Sequence, residues 1–312
     1  MSLVLLAGTS NPALAEAIAA HLGVPLAERE ASRFPDGEMQ VEVRTSVRGC
    51  DIYLIQPTGP PVEEHLFQLL LLADACRRAG AARLTAVVPY LGYARQDRRG
   101  TGREPVGARV IADLLAAGGL HRTVAVDLHS ASLEGVFGMP LEHLTAVPLL
   151  ADALRAGLHD DAIIVAPDLG ATKLAERYAR VLGLSVAFVH KRRLTGATVS
   201  VRGLTGEVRG RTPLVVDDMI TTGGTVEAAI RALLEAGARE EITVAATHGL
   251  LVGDAARRLG ALPIRRLLTT DSVATPEASG LPLERIGLSP LLADAISRLH
   301  SGRSLSDLIV HA

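Results

Sequence analysis

Short apolar runs alternate with helically spaced segments along the whole chain, and this rhythm constrains the fold more than any other feature. Runs at residues 3–6, 52–55, 84–88, 123–126, 162–165, 186–189, 214–216, 242–245 and 264–268 predict buried strands. Apolar residues at helical spacing predict helices over 12–22, 62–79, 107–117, 144–156, 172–182, 226–236 and 290–299. Strand and helix in regular turn predict an α/β chain whose sheets are mainly parallel and flanked by helices. Residues 34–44 break the pattern: Met39, Val41 and Val43 alternate onto one face, which predicts a hairpin or flap. Residues 95–105 and 192–210 are rich in Arg, Gly and Thr without apolar periodicity and read as loops.

The chain has 312 residues, enough for two cores. The strand and helix rhythm restarts near 142–148, so we expect an N-terminal domain over 1–146 and a similar C-terminal domain from 147 to 292. A net charge of -2 with 21% charged residues does not suit a polyanion binder, so no nucleic-acid partner is expected. No apolar run approaches the roughly 20 residues that span a bilayer, and the N-terminus lacks the basic region of a signal peptide. Cys50 and Cys76 have no Cys-x-x-Cys spacing, which leaves neither a disulfide framework nor a zinc site. A cytoplasmic protein without a membrane partner is the expectation.

Chemistry concentrates where strands end. The run 214–216 leads into Asp217 and Asp218, then through Thr221 to Thr222, Gly223, Gly224 and Thr225, and on into a helix. Backbone N–H groups at a helix N-terminus favour a phosphate dianion, and small residues let it approach. The two carboxylates can accept hydrogen bonds from sugar hydroxyls or hold a divalent cation. Arg95, Gln96, Arg98 and Arg99 follow the strand 84–88 and offer guanidinium groups to an anion, with Gln96 able to bond a base or ribose. Asp127, Leu128 and His129 close another strand, and Asp168 a further one. Lys191, Arg192 and Arg193 enter the second loop, where they could neutralise a polyphosphate.

All but Lys173 and Lys191 of the 32 basic residues are arginine. A position that keeps lysine in such a chain can need a compact ammonium rather than a planar fork. Lys173 stands in the first turn of the helix after Asp168, an end where a cation is disfavoured unless an anion is near. It is therefore a candidate diphosphate contact, against the plainer reading of a surface lysine.

Phe34-Pro35-Asp36-Gly37-Glu38, Tyr93-Ala94-Arg95-Gln96-Asp97-Arg98, Asp127-Leu128-His129, Lys191-Arg192-Arg193 and Asp217-Asp218-Met219-Ile220 occur in the order and approximate spacing of one family. Along essentially its whole length the chain resembles the ribose-phosphate diphosphokinases, also called phosphoribosyl-diphosphate synthetases. The resemblance implies two phosphoribosyltransferase-like domains, with 293–312 folding back on the first. It implies an enzyme that transfers the diphosphoryl group of MgATP to the 1-hydroxyl of ribose 5-phosphate, releasing AMP. ATP would be bound by Arg95, Gln96, Arg98 and His129, with Phe34, Asp36, Gly37 and Glu38 reaching the adenosine part from a neighbouring subunit. Mg²⁺ would be held by His129 and Asp168. Lys191 would be catalytic together with Arg193. Ribose 5-phosphate would be held by Arg193, Asp217, Asp218 and the turn from Thr221 through Thr222, Gly223 and Gly224 to Thr225. The family forms closed homo-oligomeric rings, commonly hexamers built from dimers.

Two departures stand out. Thr221 occupies the place of a third Asp in the commonest form of the motif. Ser46, Arg48, Ser304 and Ser306 fit positions lining a regulatory phosphate or ADP site, yet Gly80 stands where many regulated members have Ser, which leaves effector control open. The alternatives are a catalytically silent scaffolding homologue and a phosphoribosyltransferase; the latter would use the 217–225 segment and leave the others idle.

Overall fold

A computed structural model describes residues 1–193, 199–274 and 280–310, without the side chains of 191–193 and 199–202. In chain order the elements begin with β1 (Leu3–Ala7), α1 (Pro12–Leu22), β2 (Arg29–Arg33), β3 (Met39–Val43) and β4 (Asp51–Ile55). Next come α2 (Val62–Arg78), β5 (Arg83–Val87), α3 (Gly107–Ala117), β6 (Arg122–Val126) and β7 (Leu141–Leu144). Then follow α4 (Val147–Arg155), β8 (Ala162–Ala166), α5 (Thr172–Leu182), β9 (Val186–Arg193), β10 (Val199–Thr205) and β11 (Thr212–Ile220). The last are α6 (Gly224–Glu235), β12 (Ile242–Gly249), α7 (Ala255–Gly260), β13 (Ile264–Thr270), β14 (Leu283–Ile286) and α8 (Ser289–Ser301).

The chain divides into two compact units, one of Met1–Thr145, Ser272–Ala274 and Gly287–Ala312, the other of Ala146–Asp271 and Thr275–Ile286. The first unit is built on a five-stranded sheet in the order β1-β4-β5-β6-β7, parallel at every pairing. Its interior strand β4 is buried at all five positions, as a strand covered on both faces must be. One face puts Leu6, Ile52, Leu54, Leu84 and Ala86 against Leu69 and Leu72 of α2 and Ile111 and Leu115 of α3. The other face lies under α1 and α8, which pack on each other. α1 starts where Asn11 accepts a hydrogen bond from the Leu14 N–H at 3.2 Å and Pro12 supplies a preset φ.

That second face turns polar at the N-terminal end of its strands. Asp51, with no exposed surface, accepts from Arg83 Nε at 2.7 Å and pairs with His300 Nδ1 at 2.7 Å, 249 residues along the chain. Arg83 also grips the second Asp51 oxygen through Nη2. Burial pushes the Asp51 carboxyl up, but the hydrogen bonds from Arg83 and His300 outweigh it and hold the group below its ordinary value of 3.8. Beside them Tyr53 Oη is buried without a hydrogen bond.

The second unit carries a seven-stranded sheet in the order β10-β9-β8-β11-β12-β13-β14, parallel except for β10 against β9. Ile163, Val165, Val215 and Val244 of the sheet bury against Ala229, Ile230 and Leu233 of α6. α5 ends where Gly183 takes the left-handed conformation that halts a helix, φ +73°.

The α/β architecture with two parallel sheets flanked by helices is the one expected, and residues 29–43 form a hairpin, β2 pairing antiparallel with β3. Several boundaries need correction. The strand expected at 214–216 runs on to Ile220, because β12 pairs with it as far as Gly249. The following helix starts at Gly224 instead of 226, and the helix expected from 144 starts at Val147, with Leu144 belonging to β7. The loop expected at 192–210 contains β10, an edge strand with a register shift between Val201 and Gly203. An edge strand needs only one partner and no core on both faces, so its sequence lacks the apolar run used to find the others. Residues 194–198 of that segment lie outside the described residues.

Candidate active site

The turn after β11 has the local geometry of an anion cradle. Gly223 caps α6 in the left-handed region with φ +75°, and a Cβ there would stand 3.1 Å from Leu259 Cγ. Both conditions favour glycine. This helix start carries no side-chain cap, and backbone N–H groups at a helix N-terminus favour an anion. Thr222 is exposed, Thr221, Gly224 and Thr225 are half-buried, and the Thr221 carbonyl accepts the Val252 N–H at 3.0 Å, tying the turn to the segment after β12.

Asp217 and Asp218 lie inside β11, and Asp168 follows the neighbouring parallel strand β8. These three carboxylates are brought together. Burial, then the charges of Asp218 and Asp168, push the Asp217 carboxyl well above its usual range. Asp217 Oδ1 accepts the Asp218 N–H at 2.9 Å, and Asp168 Oδ1 accepts the N–H groups of Gly170 at 2.9 Å and Ala171 at 3.3 Å. Asp168 therefore caps the short helical turn that leads into α5, a structural duty in addition to the expected one. Crowded acids of this kind fit a divalent cation or sugar hydroxyls. Among the described residues no group of three or more His, Cys, Asp or Glu side chains is set to hold a metal alone. Mg²⁺ suits such a place because it keeps water and phosphate oxygens in its shell.

In the first unit the turn after β5 exposes Arg95, Gln96 and Arg98 together. Its shape is set by buried contacts: the Gly92 N–H donates to Thr58 Oγ1 at 2.7 Å, and the Gln96 carbonyl accepts the Ala108 N–H at 3.2 Å at the start of α3. Phe34, Asp36, Gly37 and Glu38 form the exposed tip of the β2–β3 hairpin, closed by the Phe34 N–H to Glu38 carbonyl bond of 2.8 Å. Phe34 is 46% exposed, a large apolar surface without cover in this unit. His129 is exposed just past β6.

Lys173 is exposed at the second position of α5. Lys191 and Arg193 stand at the end of β9; their side chains lie outside the described residues. Ser46, Arg48, Ser304 and Ser306 are exposed, and the Ser304 and Ser306 hydroxyls bond each other. A Cβ on Gly80 would stand 2.8 Å from Arg48 Nη1, so the Arg48 guanidinium occupies the space a serine would take.

Two residues escaped the sequence reading. Arg258 of α7 lies with Nη1 3.7 Å from where a Cβ of Gly224 would be, beside the cradle, and bonds Glu227 at 2.9 Å. Burial pushes Glu227 up, but Arg231 and Arg258 hold it below the usual carboxylate range, so the acid near the cradle stays paired. The adjacent Arg257 and Arg258 after a strand were the available signal. His143 is 4% exposed and bonds the backbone one residue before His129. A lone His between Glu142 and Leu144 carries no signal in sequence.

Residues 3–119 match the family described as the N-terminal domain of ribose phosphate pyrophosphokinase, and residues 142–263 match the phosphoribosyl transferase domain. A ribose-phosphate pyrophosphokinase of Caldanaerobacter subterraneus subsp. tengcongensis is 42% identical over 98% of this chain and 98% of its own. That of Bacillus subtilis strain 168 is 40% identical over 96% of this chain and 94% of its own. The crystal structure of phosphoribosylpyrophosphate synthetase from Mycobacterium smegmatis superposes with a TM-score of 0.91 at 37% identity, covering 97% of this chain and 100% of that one. With both units matched and near-complete coverage at this identity, the chain belongs to the ribose-phosphate pyrophosphokinase family.

Proposed function

We propose that this chain transfers the β,γ-diphosphoryl group of ATP to O1 of ribose 5-phosphate. The bond from O1 to the β-phosphorus forms, the bond from that phosphorus to the oxygen shared with the α-phosphate breaks, AMP departs and the O1 proton is released. The observation that carries this reading is the corner from β11 to α6, where crowded carboxylates meet a glycine-shaped helix N-terminus in the second unit. The 5-phosphate takes the N–H groups of Thr222 to Thr225 and the hydroxyls of the threonines. Asp217 and Asp218 accept from the ribose hydroxyls, with Thr221 giving a neutral contact where an acid is usual. Fixing the sugar in this way supplies orientation, the larger part of what a phosphoryl-transfer enzyme must do.

Arg95, Gln96 and Arg98 hold ATP in the first unit, and the Phe34, Asp36, Gly37 and Glu38 tip serves the adenosine of a neighbouring copy, which its exposure favours. Mg²⁺ would neutralise charge on the phosphate oxygens, and the residues that would hold it are His129 and Asp168. Lys191 and Arg193 oppose the charge that develops on the transferring group. Lys173, exposed at the N-terminus of α5, contacts the diphosphate. The assembly is a homohexamer built from dimers, working in the cytoplasm. Ser46, Arg48, Ser304 and Ser306 take phosphate or ADP as effectors. No helix among the described residues is long and apolar enough to cross a membrane.

The test is AMP release from ATP, Mg²⁺ and ribose 5-phosphate, with and without inorganic phosphate. Equal yields of AMP and 5-phosphoribosyl 1-diphosphate are expected. Nucleotide binding without AMP release would identify a silent scaffold instead, and indifference to phosphate would remove the effector assignment.

A further inference from the structure

His129 leaves β6 through a turn that β7 and the residue after it hold at three points. Asp127 has φ +38°, a left-handed conformation that a non-glycine residue keeps only when its surroundings compel it. The Asp127 N–H donates to the Leu144 carbonyl at 2.9 Å, and Asp127 Oδ1 accepts from Thr145 Oγ1 at 2.8 Å. The third point is the Leu128 N–H, which donates to His143 Nε2 at 2.8 Å inside the core.

A backbone N–H can only donate, so Nε2 of His143 must be the unprotonated nitrogen and the ring proton must sit on Nδ1. Nδ1 faces Glu134 Oε1 at 3.4 Å, and a carboxylate on that side favours this tautomer. The ring is 4% exposed and Leu128 8%, so the bond is shielded from water that could replace it. We propose that His143, with its tautomer set by the Leu128 N–H, is a positioning residue that fixes the peptide between Asp127 and His129 and so aims His129 at MgATP. The proposal rests on the reading of His129 given above. His143 has no part in bonding the nucleotide itself; it acts through one N–H, as outer partners of ligand residues do.

Two substitutions separate the acceptor from the bulk of the ring. His143→Leu fills the space without an acceptor, whereas His143→Gln places an amide oxygen near the Nε2 position. Two readouts are taken: hydrogen exchange of the Leu128 amide by mass spectrometry, and MgATP affinity by calorimetry alongside steady-state kinetics. His143→Leu should speed Leu128 exchange at least tenfold, weaken MgATP binding about tenfold, and leave the KM for ribose 5-phosphate unchanged. His143→Gln should restore both readouts to within about threefold of the parent. Unchanged Leu128 exchange in His143→Leu overturns the proposal. So does faster exchange with unaltered MgATP affinity, or a His143→Gln protein as impaired as His143→Leu. If the parent binds MgATP but releases no AMP, the proposed reaction fails while exchange and affinity still judge His143.

Discussion

Replacing Asp51 by Asn removes one charge from a site where it neutralises Arg83 and bonds His300, with almost no change of volume. The parent carboxylate has no exposed surface and holds both Arg83 and His300. Breaking a fully buried ion pair costs about 3–5 kcal/mol, because the partner is left charged and dry. Here the partner side chains keep 35% and 29% of their surface exposed, so part of their hydration returns. We therefore expect a loss of about 2–3 kcal/mol. Spread over a unit of this size, that lowers Tm by about 5–10 °C. Differential scanning calorimetry reads it, and hydrogen exchange in α8 should show that helix loosening first, since His300 is its tie to the sheet.

The pH dependence follows from the depressed carboxyl. A group whose folded pKa lies below its unfolded value stabilises the fold at all pH above the unfolded value and loses that contribution as pH falls through the folded one. For Asp51 the unfolded reference is 3.8 and the folded value is lower. The part of the gap between parent and Asp51→Asn that comes from this carboxyl should thus be fully present above the carboxylate range and close as the pH drops below it. A Tm within about 1 °C of the parent at neutral pH, or a gap that persists undiminished below the carboxylate range, would refute the reasoning.

Tyr53→Phe should be neutral or stabilising by about 1 kcal/mol, since a buried hydroxyl without a partner costs about 1–3 kcal/mol; a clear loss in urea unfolding would show that the hydroxyl has a partner after all. Gly223→Ala must place a Cβ against Leu259 at φ +75°, a strain of about 1–2 kcal/mol. Its KM for ribose 5-phosphate should rise about tenfold or more with the KM for ATP unmoved, and equal changes in both would count against the cradle. Lys191→Ala should cut kcat by about a hundredfold or more while ATP affinity changes little; parallel loss of both would remove its assigned role.

Much of this molecule can be read from local pattern. The helix limits at 12–22, 107–117 and 172–182 coincide with those in the structure because caps and periodicity are properties of adjacent residues. The β2–β3 hairpin is legible from the alternation of Met39, Val41 and Val43, whose side chains are the half-buried ones of β3. The short β7, the six-residue α7 and the edge strand β10 are not, since each is held by its neighbours more than by its own apolar run.

The same division runs through the site. Sequence alone determined that a paired-acid strand end meets a Thr-Gly-Gly-Thr turn, since phosphate recognition at a helix start is written in consecutive residues. Only the tertiary structure decided that Asp168 joins Asp217 and Asp218, raising the Asp217 carboxyl, or that Asp168 also caps a helical turn. It alone put His143 behind the Leu128 N–H and His300 on Asp51. Those contacts join residues 15 and 249 positions apart, and no period of 2 or 3.6 carries information over such distances. The pairing of β6 with β7 and the packing of α8 on the first unit bring them together, and the charge and hydrogen bonding of a buried group depend on such contacts more than on its neighbours in sequence.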